Sequence, residues 1–303
     1  MSSDAPWTIG RLLQWTTEYF KQHASSSPRL DAEVLLASAR GCQRIELYTT
    51  YDEVAPDDLR DRFRELVRRR AAGEPVAYLV GCREFYSLPF EVTRDVLIPR
   101  PETELLVVSV LDAAKQAAEP ATCRIADVGT GSGIIAICLA KHLLQCEVTA
   151  IDVSPDALQV ARRNAAALGV GDQIEFCEGD LLEQLAAGPT FDFVVSNPPY
   201  VSRAEWEELS REIKEYEPPQ ALLGGEDGTD VIRRLVPQAA QRLRPGGMLY
   251  LEISPMIEQQ VSRLLAVDPA FSDATVLKDL AHVPRVVAAM RLPVKDGISE
   301  AAR

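Results

Sequence analysis

From residue 122 onward, short apolar runs alternate with amphipathic segments of helical period. This alternation restricts the fold more than any other feature of the chain. The runs fall at 124–128, 147–151, 173–177, 191–195, 247–252, 274–277 and 285–290, with helices predicted at 133–143, 155–167, 204–214, 230–243 and 256–266. Runs such as Phe193-Val194-Val195 lack the polar alternation of a strand with one wet face. They suit a parallel sheet covered on both sides. The pattern predicts a seven-stranded, doubly wound α/β domain of about 180 residues. The last two runs lie close together, which predicts an antiparallel hairpin at one edge.

The segment before residue 122 has a different character. Leu30, Val34, Leu35 and Ala39 have helical spacing, and so do Leu59, Phe63, Leu66 and Val67. Pro56-Asp57-Asp58 opens the second of these helices and Gly73 stops it. Arg68, Arg69 and Arg70 complement the helix C-terminus or serve a partner. Phe85 and Tyr86, then Leu88, Phe90 and Val92, alternate as strands do. Pro99 and Pro101 stiffen the link that follows, and a helix is predicted over about 102–118. The expected organisation is a helical domain over 1–75, a β-hairpin linker over 76–101 and a larger domain over 102–303.

Charge and cysteine content narrow the function. Lys and Arg number 32 against 45 Asp and Glu, a formal charge of 32 minus 45, or −13. That argues against a nonspecific polyanion binder. The six cysteines form no C-x-x-C pair and the three histidines lie far apart. Neither a structural metal site nor a disulfide framework is expected, but buried free thiols in a reducing compartment. No signal-peptide pattern and no long apolar run is present, so a cytoplasmic protein with no membrane span is expected.

The first strand of the α/β pattern, Ile125-Ala126-Asp127-Val128, runs into Gly129-Thr130-Gly131-Ser132-Gly133 and then a helix. The glycines permit a tight turn and a close ligand approach. A G-x-G-x-x-G dinucleotide turn would need glycine at 134, where Ile134 stands. Asp127 precedes the turn, and Asp152 ends the next strand, where a carboxylate reaches ribose hydroxyls or caps the following helix. Asp180 follows the third strand and suits an adenine amino group, with the Leu181 N–H for a ring nitrogen. A nucleoside without phosphates fits this set, and S-adenosylmethionine fits better than a dinucleotide. Thr130 and Val153 complete the expected cofactor shell.

The fourth strand ends in Asn197-Pro198-Pro199-Tyr200. In a doubly wound sheet the first and fourth strands flank the crevice where strand order reverses, so this tetrapeptide should lie beside the glycine turn. A planar NH₂ is a poor nucleophile. The Asn197 oxygen and the Pro198 carbonyl would each accept one of its N–H groups and favour the charge that develops during methyl transfer. Pro198 and Pro199 fix the backbone, and Tyr200 offers an aromatic face. The motif alone does not choose between nucleic-acid amino groups and a protein glutamine amide.

Further stretches carry a resemblance: Asp31-Ala32-Glu33-Val34-Leu35-Leu36, Gly73-Glu74-Pro75-Val76-Ala77-Tyr78-Leu79, Gly81 to Tyr86, and Leu97-Ile98-Pro99-Arg100-Pro101-Glu102-Thr103-Glu104. Together with the two motifs above they resemble the HemK/PrmC family of release-factor glutamine methyltransferases over nearly the whole chain. The resemblance implies a class I S-adenosylmethionine-dependent methyltransferase domain of Rossmann-like form. It implies N5-methylation of the Gly-Gly-Gln glutamine of class I peptide chain release factors, with S-adenosylhomocysteine as product and no metal. Tyr200, Phe85 and the Arg100, Pro101, Glu102, Thr103 segment would wall the inserted loop. Gly129, Gly131, Gly133, Asp152, Asp180 and Asn197 would lie in the cofactor shell. The helical domain would bind the release-factor body, the enzyme acting as a monomer without need of nucleic acid or membrane. The alternatives are an N-methyltransferase of DNA or RNA, and a noncatalytic cofactor-binding adaptor. Two departures from the family stand out: Ser254-Pro255 where a glycine follows Glu252-Ile253, and His282 in place of a glycine. His282 reads as a loop residue. Arg100 also suits a structural ion pair, Glu102 a helix start and Phe85 a core position.

Overall fold

Among the described residues, seven strands form one sheet in the computed structural model, which describes residues 6–293 except 24, 117–121, 144, 186, 187, 189 and 190. The chain divides into two compact units, Met1–Cys82 with Ser210–Tyr216, and Arg83–Leu209 with Glu217–Arg303.

The first unit holds α1 (Ile9–Lys21), α2 (Pro28–Arg40), α3 (Glu46–Thr49), α4 (Asp57–Ala71) and α5 (Val76–Val80). Leu13, Phe20, Leu35, Leu36, Leu47 and Phe63 form its core. Thr8 caps α1 by accepting from the Arg11 N–H. The arginine run at the end of α4 is taken up inside the unit. Arg68 pairs with Glu65, Arg69 makes a two-pronged bond to Glu74 at 2.8 Å, and buried Arg70 pairs with Asp31 at 2.8 Å and Glu212 at 3.0 Å. Glu33 accepts from Arg29, Arg44 and Tyr48. Burial pushes its carboxyl up, but the bonds from Tyr48, Arg44 and Arg29 outweigh that and hold it below the usual range. The acidic residues of the Asp31–Leu36 stretch are therefore ties between helices. Residues 76–80, expected within the hairpin linker, form α5, which opens at Pro75 and closes on Gly81 at φ +72°.

The second unit begins with a hairpin of β1 (Cys82–Phe85) and β2 (Leu88–Glu91), turning through Tyr86 and Ser87 at φ +52° and +59°. Then come α6 (Thr103–Gln116), β3 (Cys123–Val128), α7 (Ile134–His142), β4 (Cys146–Asp152), α8 (Pro155–Ala167), β5 (Ile174–Glu178) and β6 (Phe191–Ser196). They are followed by α9 (Arg203–Glu208), then, after α10 (Arg211–Tyr216) of the first unit, by α11 (Asp230–Arg242), β7 (Leu243–Glu252), α12 (Glu258–Val267), β8 (Thr275–Lys278) and β9 (Pro284–Met290). The expected end of α6 at 118 lies outside the described residues.

The strand order is β5-β4-β3-β6-β7-β9-β8, parallel from β5 to β7 and antiparallel through β9 and β8. Both faces are covered. Ile125 and Val195 point toward α6 and α7, while Ala126 and Val194 point toward α11 and α12. The single helix expected over 204–214 is instead two. Ser202 and Glu205 form a capping box that starts α9, Leu209 turns extended at ψ 150°, and α10 belongs to the first unit. Ser254-Pro255 opens a 3-10 turn, with the Ser254 hydroxyl accepting from the Met256 N–H. All six cysteines are free; Cys138 and Cys146 are buried, whereas Cys82 is exposed, against the expectation of buried thiols. Among the described residues, no helix is long and apolar enough to cross a membrane.

Candidate active site

β3 and β6 pair in parallel with Val128 beside Ser196, so Gly129 and Asn197 leave the sheet side by side where strand order changes direction. The Ser196 hydroxyl donates to the Val128 carbonyl at 2.7 Å and ties the two ends together. A cavity of about 280 Å³ opens there, near the lower limit of small-molecule pockets (about 300 Å³). Its walls include Gly129, Thr130, Gly131, Asp152, Val153, Asp180 and Leu181 from the expected cofactor set. They also include Asn197, Pro199, Arg100 and Thr103 from the expected catalytic and substrate sets.

The glycine turn is built by its backbone. Gly129, Gly131 and Gly133 have φ of +73°, +56° and +84°. The Gly129 and Thr130 N–H groups donate to the Ile151 carbonyl, and the Gly131 N–H donates to Asp152 Oδ2 at 2.8 Å. A Cβ at Gly131 would meet nothing within 4 Å, so the turn presents open backbone to the cavity. Gly133 has another task. A Cβ there would lie 2.9 Å from Ile137 and 3.1 Å from Ala161, so this glycine lets helices pack rather than meeting a ligand. Asp127 also stands apart from the cavity walls. It is wholly buried under the turn, where one oxygen accepts from the Thr130 hydroxyl at 2.6 Å and the Ala136 N–H at 3.1 Å. Burial lifts its carboxyl to about 7. Asp127 thus shapes the turn and is not itself among the cavity walls.

Asp152 is held at the cavity edge by two N–H donors, Gly131 and Ser154 at 2.8 and 2.9 Å, and burial raises its carboxyl above the usual range. It serves the turn and the cavity together. Asp180 pairs with Arg234 at 2.6 Å, and both reach the cavity. The next residue, Leu181, sits at φ +58°, an uncommon conformation for a bulky side chain. Arg234 lies on α11, and nothing in its sequence surroundings marks it for the site. Asn164, 2 % exposed, fastens the hairpin to the glycine turn: it accepts from the Glu91 N–H and donates to the Glu91 and Ser132 carbonyls.

Two hydrogen-bonded pairs involve Asn197 and Tyr200 of the tetrapeptide. Asn197 Nδ2 donates to Thr103 Oγ1 at 3.2 Å, and the Tyr200 hydroxyl donates to Glu252 Oε1 at 3.2 Å. Glu252 is 1 % exposed, and its Oε2 has no partner. Burial raises its carboxyl to about 7, against the lowering effect of the nearby Thr103 and Tyr200 hydroxyls. Burial also pushes the Tyr200 phenol up, with Glu252 adding to it. Tyr200 and the buried Pro198 are not among the cavity walls; the Tyr200 ring instead backs the site. Arg100 reaches the cavity but its guanidinium binds Glu217 at 2.5 Å, an anchor that also accepts from the Ile98 N–H. Glu102 lies off the cavity, 3.8 Å from Arg285, and Pro101 is exposed. Phe85 is the clearest displacement from expectation. It is 3 % exposed and packs edge-on against Phe90 in the core, so it walls no part of this cavity.

The loop after α10 explains its own glycines. A Cβ at Gly224 would lie 2.6 Å from the Pro199 carbonyl oxygen, and one at Gly228 (φ +80°) would lie 2.4 Å from that of Tyr200. Only a bare backbone fits against the tetrapeptide there.

Comparison with known proteins agrees with this geometry. Residues 11–81 match the PrmC N-terminal domain and residues 102–214 the methyltransferase small domain. The chain is 48 % identical over 287 residues to a release factor glutamine methyltransferase of Rhodopirellula baltica, covering 94 % of this chain and 97 % of that one. It is 43 % identical over 280 residues to the protein of the same name from Koribacter versatilis, covering 92 % and 97 %. Among solved structures, it resembles in fold the hMettl16 catalytic domain in complex with MAT2A 3'UTR hairpin 6. The TM-score is 0.55 at 16 % identity, over 76 % of this chain and 83 % of that one.

Proposed function

Because the chain belongs to the release factor glutamine methyltransferase family, we propose that it methylates the side-chain amide nitrogen of the Gly-Gly-Gln glutamine of class I peptide chain release factors, using S-adenosylmethionine. The observation that carries the reading is the placement of Asn197, its amide held by Thr103, against an open glycine turn.

The cavity residues fit the cofactor. The bare backbone at Gly131 admits close approach, Asp152 suits the ribose hydroxyls, and Asp180 with Leu181 suits the adenine edge. When bound, S-adenosylmethionine supplies an electrophilic methyl on a sulfonium. The protein's task is then to present a weak nucleophile. With its NH₂ turned to Thr103, Asn197 has its Oδ1 to accept one substrate N–H, and the Pro198 carbonyl takes the other. Two acceptors orient the amide nitrogen and stabilise the positive charge that grows on it. Deprotonation can follow transfer, so no strong base is required. Arg100, anchored by Glu217, walls the entrance.

The functional division proposed is a helical domain over 1–75, a hairpin linker over 76–101 and a catalytic domain over 102–303. The helical unit would bind the release-factor body. It carries a groove of about 450 Å³ walled by Trp7, Trp15, Tyr19, Arg60, Arg64 and Arg68, and Trp15 is 50 % exposed. Tryptophan, tyrosine and arginine dominate the energetics of many protein interfaces. A release-factor substrate places the enzyme in the cytoplasm, and it would act as a monomer.

The test is mass spectrometry of a class I release factor incubated with the enzyme and S-adenosylmethionine. One added methyl on the Gly-Gly-Gln glutamine is expected, absent with Asn197→Ala. No methyl there, with label on DNA or RNA instead, would replace this reading with the nucleic-acid one.

A further inference from the structure

We infer that α11 sets the base specificity of the cofactor site: Arg234 holds one oxygen of Asp180 and leaves the other to the 6-amino group of adenine. The inference rests on the S-adenosylmethionine site proposed above and gives a specificity role to a helix that no motif marks.

The geometry starts from one stripe of α11. Arg234, Gln238 and Arg242 follow at intervals of four, so they share a face of the helix. All three bind the segment that follows β5. Arg234 donates to Asp180 Oδ2 at 2.6 Å and to Glu183 Oε1 at 3.4 Å. Gln238 Oε1 accepts from the Leu182 N–H at 2.8 Å, and Gln238 Nε2 donates to Glu183 Oε1 at 3.3 Å. Arg242 donates to the Leu185 carbonyl at 2.8 Å. The Leu182 side chain, 1 % exposed, shares a core cluster with Ile232 and Leu235 of the same helix.

The segment needs this bracing because Leu181 is left-handed at φ +58°. A bulky residue keeps that conformation only where its surroundings hold it. Here the bonds on either side hold it: Arg234 to Asp180 before it, Gln238 to Leu182 after it. Asp180, Leu181 and Arg234 wall the cavity, whereas Gln238 and Arg242 stand behind it. The helix therefore meets the ligand space at Arg234 and braces the segment at the other two.

The donor pattern gives the specificity. An ionised carboxylate only accepts hydrogen bonds. With Oδ2 taken by Arg234, Oδ1 remains to accept from a base edge that donates. Adenine offers its 6-amino group there, beside a ring nitrogen that suits the Leu181 N–H. A purine without that amino group returns nothing to Oδ1. The Arg234 and Asp180 side chains are 49 % and 47 % exposed, and a pair so open to water contributes little to the fold. Removing Arg234 is therefore read in binding and not in unfolding.

Calorimetry with two probes tests the inference: S-adenosylhomocysteine, and its analogue whose base is purine, with hydrogen in place of the 6-amino group. Wild type should bind S-adenosylhomocysteine at least about tenfold more tightly than the analogue. Arg234→Met should cut this preference to less than about threefold by weakening S-adenosylhomocysteine, with the analogue's Kd changed by less than about threefold. Equal binding of the two probes by wild type, full preference in Arg234→Met, or equal weakening of both probes in that variant would overturn it. The brace is read without cofactor, by amide hydrogen exchange. Gln238→Met should speed exchange at Leu182 by tenfold or more, and an unchanged rate would refute the bracing of the segment by α11. Wild-type protein that binds neither probe would overturn the cofactor site and this inference with it, whereas binding with full preference in Arg234→Met overturns the inference alone.

Discussion

At the residue scale, four described positions carry side chains where the backbone favours glycine, Leu181 at the cavity being one. Tyr86 and Ser87 hold the two left-handed positions of the hairpin turn, and His282 sits at φ +61°. Such turns favour Asn-Gly, because left-handed residues with a Cβ are strained. Ser87→Gly should raise stability by about 0.5 kcal/mol, the relief of strain exceeding the added chain entropy. A rise in the denaturant midpoint at constant slope would show it, and a fall would show that no strain is held there. The His282 departure has the same reading: a turn that needs φ above zero has kept its shape, stitched by Asp279 to the Ala281 and Val283 N–H groups. The two buried carboxyls give a pH signature. Glu252 rises from 4.5 to about 7 and Asp127 from 3.8 to about 7, so the folded state binds more protons than the unfolded state between those limits. Their contribution to stability is full below the unfolded values and is lost as pH rises through about 7. Denaturation of wild type and Glu252→Gln at pH 5 and 8 isolates the effect. Wild type should lose stability relative to the variant on going to pH 8, and no relative change would contradict the assigned burial.

At the element scale, the sequence shows more of the sheet than of the site. Strands buried on both faces announce themselves as unbroken apolar runs, and the glycine turn and Asn197-Pro198-Pro199-Tyr200 mark the ends of β3 and β6. A motif gives position along the chain but not depth. Asp127 and Gly133 belong to the turn, yet one lies beneath it and the other packs α7 on α8. Phe85 is expected in the wall around the inserted loop, yet it packs against Phe90 in the core. Glu252 and Arg234 are invisible in advance, because a glutamate at a strand end or an arginine on a helix looks like many others. The glycines of the loop from 224 to 228 have their physical cause in close backbone packing on the tetrapeptide. Gly228→Ala should therefore push on the Tyr200 carbonyl and reduce turnover by about tenfold or more, while S-adenosylhomocysteine still binds. Wild-type turnover in that variant would mean the contact is slack.

At the scale of the whole molecule, the candidate active site and the proposed recognition groove fall in different units. The second unit contains the cavity and the hydrogen bonds of Asn197 and Tyr200. The first has a core of its own and an aromatic groove edged with arginines. Trp15→Ala should raise KM for the release factor by roughly tenfold and leave kcat and cofactor affinity near wild type. An unchanged KM would remove this groove from the recognition surface. The account as a whole depends on one claim, that Asn197 presents a glutamine amide to the methyl donor. It is tested most directly by locating the methyl on a class I release factor after reaction with wild type and with Asn197→Ala. The account predicts a single added methyl on the Gly-Gly-Gln glutamine with wild type and none with the variant. Equal methylation by the Asn197→Ala enzyme, or a methyl at any other residue, would contradict it.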